Sequence, residues 1–183
     1  MRTSKSLTTA FWGLLALSAT RSGWAEVTGI GPSGFGLKTE TTVAGTPTDA
    51  FNRFMQIGRW WNPAHSYSGD GANLALSAKP GGCFCETLPG GGFVKHMDVV
   101  YAAPGKLLRL SGGLGPLQGM GASGAMTFEF KAEGPNTHLT VTYIVSGFVA
   151  GQGFATLAPA VDGVLSEQVG RFKRFAETGK PTS

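Results

Sequence analysis

The residues able to do chemistry crowd into one stretch. Between Ile57 and Glu86 the chain reads IGRWWNPAHSYSGDGANLALSAKPGGCFCE, with two adjacent tryptophans, a histidine, two carboxylates and a C-x-C pair. With His96 and Asp98 just downstream, the acid–base candidates are His65, Asp70, Glu86, His96 and Asp98. His96 and Asp98 stand two apart in a predicted strand and so share a face, the layout of a histidine base oriented by a carboxylate. Glu86 and Lys95 flank the Pro89–Gly92 turn and are expected to pair across a hairpin at the surface. Three histidines in 183 residues is an ordinary number. Hydrogen-bonded polar side chains near a pocket are therefore the simpler reading, and His96 with Asp98 is the catalytic alternative.

Cys83 and Cys85 would lie about 6.6 Å apart in a regular strand, with both side chains on one side. That is near the limit for a disulfide. Three states fit: buried free thiols acting as small hydrophobes, a reducible bond, or a soft-metal site completed by His96 or Met97. Free thiols are the first reading, because no full tetrahedral ligand set accompanies the pair. Trp60 and Trp61, if helical, diverge by about 100°. One would fill the core and the other would reach a cavity mouth. Two G-x-G-x-x-G matches, starting at Gly29 and Gly119, lack the strand–turn–helix context of a dinucleotide fingerprint and read as loops.

These residues need elements to hold them. The first 25 residues have the layout of a secretory signal peptide. Arg2 and Lys5 open it, an apolar run covers Leu7 to Ala19, and small Gly23 and Ala25 precede a cut before Glu26. The run is shorter than the roughly 20 residues of a membrane span. Export to the periplasm or the medium is expected, where disulfides are permitted. The whole chain has 15 Lys+Arg against 11 Asp+Glu; without Arg2, Lys5 and Arg21 it has 12 against 11. That near-neutral balance removes the case for nucleic-acid binding. Arg171, Lys173, Arg174 and Lys180 read as a solvated last helical turn.

Residues 26–36 read as a flexible Gly-rich lead-in, and residues 37–179 as one domain. Leu37–Val43 is a predicted strand. Thr46-Pro47-Thr48-Asp49 is a helix start, and its helix is expected to run toward Pro63 with Phe51, Phe54, Met55 and Trp61 in phase. Strands follow at Asn73–Ser77, Cys83–Leu88, Phe93–Tyr101, Lys106–Leu110, Ala125–Lys131 and His138–Val145, separated by Gly/Pro turns. Met126, Phe128 and Phe130 alternate with polar residues, as do Leu139, Val141, Tyr143 and Val145, which gives the sheet one buried face. From Phe154 the apolar spacing turns helical, through Leu157, Val161, Val164, Leu165, Phe172 and Phe175, and Gly179 and Pro181 end it. Strands that are not interleaved with helices give an α+β fold. The Gly-rich segment Ser111–Ser123, with Leu114, Leu117 and Met120, is either a lid or a plain long connection.

The segments FNRFMQIGRWWNPAHSYSGDGANLAL, GGCFCETLPGGG, HMDVVYAAPGKLLRLSGGLGPL and LAPAVDGVLSEQVGRF resemble secreted bacterial members of the START-like superfamily, also called SRPBCC or the polyketide cyclase/dehydrase and lipid-transport group. The resemblance implies a helix-grip fold, a curved antiparallel sheet wrapped around a long C-terminal helix, with a cavity between them. It implies binding of an apolar small molecule or lipid, without a cofactor. Trp61, Tyr101, Arg109, Phe128 and Tyr143 are the expected wall residues, Arg109 being able to meet a ligand carboxylate. A cyclase- or dehydratase-type enzyme using His96 and Asp98, and an interaction or chaperone-like protein without a ligand, are the alternatives.

Overall fold

The computed structural model describes residues 26–149 and 153–182, so residues 1–25, read above as a signal peptide, lie outside the described residues. Among the described residues, eight strands form one antiparallel sheet in the order β1-β2-β8-β7-β6-β5-β4-β3. They are β1 Glu26–Gly31, β2 Gly34–Ala44, β3 Leu74–Leu76, β4 Cys83–Thr87, β5 Phe93–Ala103, β6 Leu107–Gly112, β7 Ala122–Glu133 and β8 Asn136–Gly147. Helix α1, Pro47–Phe54, and the long helix α2, Gly153–Thr178, complete the domain. The segment read as a flexible lead-in is therefore partly strand: β1 pairs with β2 from Glu26↔Lys38 to Gly31↔Gly34. Among the described residues no helix is long and apolar enough to cross a membrane.

Helix α1 starts as its sequence requires. Thr46 Oγ1 accepts the Asp49 amide at 3.2 Å, and Pro47 takes a first-turn position where its missing N–H costs nothing. It ends at Phe54, earlier than expected, and the chain continues as a separate 3-10 turn, Ile57–Arg59. Gly58 explains the break. It crosses the Gly71 segment so closely that a Cβ there would sit 2.5 Å from the Gly71 carbonyl oxygen, which a regular helix with a side chain would not allow. Trp60 then turns back, and its indole N–H donates to the Phe54 carbonyl at 3.0 Å, filling an acceptor left open by the helix end.

The core is aromatic at this point. Phe54 lies 5.0 Å from Trp60, 4.6 Å from Phe128 and 5.1 Å from Phe172 between ring centroids. Helix α2 lays Phe154, Ala158, Leu165, Val169, Phe172 and Ala176 on the sheet. Its basic residues are not merely solvated. Arg171 Nε donates to the Trp60 carbonyl at 2.9 Å, Lys173 Nζ to the Thr42 carbonyl at 2.8 Å, and Arg53 reaches from α1 to the Ala176 carbonyl. They clip the two helices and β2 together. Phe172→Ala is expected to lower unfolding free energy by about 3–5 kcal/mol, read as an earlier urea midpoint at unchanged slope.

Candidate functional site

The functional geometry begins with two bulges in β5. Opposite β4 the partners run Cys83↔Asp98, Phe84↔Met97 and Cys85↔Lys95, so His96 is an extra residue. A bulge resets the alternation of side chains. His96 and Met97 both become buried, and Asp98 is left exposed, where it pairs with Lys95 Nζ at 3.0 Å. The expected His96–Asp98 pair is thus separated onto opposite faces. So is the expected Glu86–Lys95 pair, because Lys95 stands across from the half-exposed Cys85, whereas Glu86 shares the inner face with Phe84. Against β6, Val99↔Leu110 is followed by Tyr101↔Arg109, and Val100 is the extra residue.

Glu86 is the carboxylate that His96 meets. Its oxygens accept the Tyr67 amide at 3.1 Å, the Ser68 amide, and His96 Nε2 at 2.9 Å, with the glutamate side chain wholly buried. Burial alone would push the Glu86 pKa up, but the Ser68, Tyr67 and His96 hydrogen bonds outweigh it and hold the carboxyl below its ordinary 4.5. Burial lowers the His96 pKa from 6.5, and the hydrogen bond and charge of Glu86 recover only part of that. The pair is therefore an ionised glutamate and a neutral imidazole. An ionised carboxylate can only accept, so Nε2 carries the proton and Nδ1 is a bare acceptor. Nδ1 is buried and has no partner. The ring lies between Phe84, 4.7 Å away, and a stacked Tyr67, 5.9 Å away.

Of this pair, His96 stands in the wall of a cavity of about 370 Å³. Leu157, Ala160, Val161 and Val164 of α2 form one side. Leu114, Gly115, Pro116, Leu117 and Met120 form another, and Trp61, Ala64, His65, Ser66, Tyr67 and His96 close the third. The segment 114–120, read as either lid or connection, is a wall. It is anchored by Tyr143, whose hydroxyl donates to the Gly112 carbonyl and accepts the Leu114 amide, both at 3.1 Å. Burial pushes that phenol's pKa up to about 12, so it stays neutral. His65 at the rim pairs with Glu167 of α2 at 2.9 Å. Burial acts to raise the Glu167 pKa, yet hydrogen bonds from Asn62 and His65 bring it below its ordinary value.

The expected wall residues divide. Trp61 lines the cavity, its indole N–H donating to the His65 carbonyl at 3.0 Å. Tyr143 supports the wall from behind. Phe128 is core, against Phe54. Tyr101 and Arg109 lie on the outer face, because the Val100 bulge turns Tyr101 outward beside Arg109, whose Nε donates to Thr127 Oγ1 at 2.9 Å. Asp70 stays outside the cavity, its carboxylate accepting the Ala72 amide at 2.9 Å. Cys83 and Cys85 are joined as a disulfide with Cα atoms 5.5 Å apart, closer than a regular strand would place them. The free-thiol reading is corrected, and the bond removes the thiolates that a soft metal would need. The strand is not regular because it faces the His96 bulge.

No protein-family model matches the chain, and no curated protein matches it. Solved structures do. A conserved protein of unknown function from Enterococcus faecalis superposes with a TM-score of 0.58 at 16% identity, over 82% of this chain and 75% of its own. The di-domain ARO/CYC protein StfQ from the steffimycin biosynthetic pathway gives 0.55 at 15% identity, over 79% of this chain and 51% of its own. BexL, the di-domain ARO/CYC protein from the BE-7585A biosynthetic pathway, gives 0.53 at 17%, over 81% and 52%. The chain has a helix-grip fold. At these identities the likeness is one of fold, and the chain spans about half the length of the two di-domain proteins.

Glu86 is the site residue that sequence reasoning misplaced. Its signal was present, as a carboxylate in phase with apolar Phe84, but the bulge that delivers His96 to it leaves no mark in the sequence. Unfolding frees both groups to take up protons more readily than the folded protein does. The stability they contribute is therefore full above about pH 6.5 and drains as pH falls, through His96 first and then Glu86 below about 4.5. Urea midpoints are expected to drop between about pH 7 and 5.5, and to drop less in His96→Gln.

Proposed function

We propose that the protein is exported and binds an apolar small molecule, a lipid included, in the cavity between α2, the 114–120 segment and the His96 wall. The cavity carries the proposal. Its wall is mostly apolar, with Leu114, Leu117, Leu157, Val161 and Val164 around His96, the single buried polar side chain among its described residues. A volume of about 370 Å³ falls within the range of about 300–1,000 Å³ found for small-molecule sites. The fold shared with the ARO/CYC proteins supports the same reading. Export is supported by the leader pattern in residues 1–25 and by the Cys83–Cys85 bond, which reducing compartments disfavour. Val164→Trp fills the cavity from α2 and leaves Glu86 and His96 themselves unsubstituted. It is expected to abolish binding of a fluorescent apolar probe while leaving the fold intact by circular dichroism. Retention of full binding by that variant sinks the proposal.

The buried Glu86–His96 pair favours a second reading, an enzyme in which His96 Nδ1 takes a proton from a bound carbon acid. The orienting carboxylate is then Glu86, not Asp98. In deuterium oxide, such an enzyme exchanges deuterium into its ligand and His96→Gln does not; equal exchange in both removes the base.

A further inference from the structure

We propose that His96 Nδ1 is the anchor for a hydroxyl group on the ligand, so that the cavity selects neutral aromatic alcohols, phenols or enols over their ethers and over carboxylates. This rests on the cavity-binding reading above and names the ligand class that reading leaves open. Three side-chain atoms among the described residues are buried without a partner: His96 Nδ1, Asp162 Oδ1 and Gln168 Nε2. Only His96 belongs to the cavity wall. A buried acceptor without a donor is uncommon in a folded protein and is satisfied when a ligand supplies one.

The direction of that hydrogen bond is fixed by the other end of the ring. Glu86 already accepts two backbone amides and stands 2.9 Å from Nε2. It has nothing to donate, so the imidazole proton stays on Nε2 and the ligand must bring the proton to Nδ1. An ether offers none. A carboxylate offers none either and would enter beside the Glu86 charge, in a wall whose described residues include no lysine or arginine and whose rim His65 is already engaged by Glu167. The ring's stacking partner, Tyr67, and Trp61 give the wall its aromatic surfaces, which suit a flat ring system. A site made to hydrogen-bond a hydroxyl rejects the analogue that lacks it, because its own buried group is then left unpaired.

The test compares 2-naphthol, 2-methoxynaphthalene and 2-naphthoate by calorimetry on the mature protein. The naphthol is expected to bind about tenfold or more tighter than its ether, a difference the size of one buried hydrogen bond, with the naphthoate weakest. In His96→Phe the naphthol and the ether are expected to become equal. Equal binding of those two by the unsubstituted protein, or tightest binding of the naphthoate, overturns the anchor while leaving the cavity reading in place. Binding of none of the three overturns both. Should His96→Phe fail to fold, ¹⁵N-histidine NMR of the unsubstituted protein decides: a proton on Nε2 and a change at Nδ1 on adding naphthol support the anchor, and a proton on Nδ1 or no change with naphthol overturns it.

Discussion

A carboxylate buried in an apolar interior has to be surrounded by donors, and that requirement at Glu86 organises this end of the molecule. Leaving such a charge unpaired costs several kcal/mol, on the order of the stability of a small domain. Three donors meet it: the amides of Tyr67 and Ser68 and the ring of His96. The first two pull the connection after Trp61 inward over β4. The third holds the imidazole in one tautomer. The loop, the stacked Tyr67 and the polar spot of the cavity are all consequences of one charge.

The disulfide belongs to the same arrangement. Cys83 and Cys85 bracket Phe84, which packs 5.3 Å from Trp61 and 4.7 Å from His96, and Glu86 is the next residue. A bond across two residues closes a very small ring, so it does little to restrict the unfolded chain compared with a long loop. Its main effect is local. It fixes the strand segment that presents both Phe84 and Glu86, on a sheet side that ends in the three-residue strand β3.

The sequence was legible where patterns are periodic and local. The cap at Thr46, the alternation in β7 and β8, and the long amphipathic α2 all appear where their residues predict them. Legibility failed at irregularities that only neighbours can create. Nothing in VKHMDVVY marks His96 and Val100 as extra residues, because a bulge is a property of two strands in register. The parity argument that put Asp98 beside His96 therefore failed, and Tyr101, an expected wall residue, lies on the outer face. Likewise Trp61 was in phase with a helix that Gly58 interrupts, for the sake of a crossing chain thirteen residues later. The split between a core tryptophan and a cavity tryptophan holds all the same, since Trp60 packs on Phe172 at 5.3 Å while Trp61 lines the cavity.

The order of strands has a kinetic consequence. Strand β2 finds its inner partner only in β8, with Phe35 beside Val145 and Ala44 beside Asn136. About a hundred residues must be looped out before that ladder can close, and the entropy of closing so large a loop is met before its contacts form. Until it closes, β7 and β8 expose the apolar face that α1 later covers, with Phe51 on Phe130 and Phe54 on Phe128. A chain built this way folds slowly for its size and is vulnerable to association while it waits. Any partner that shields the β7–β8 face during that interval would raise its yield without altering its final stability.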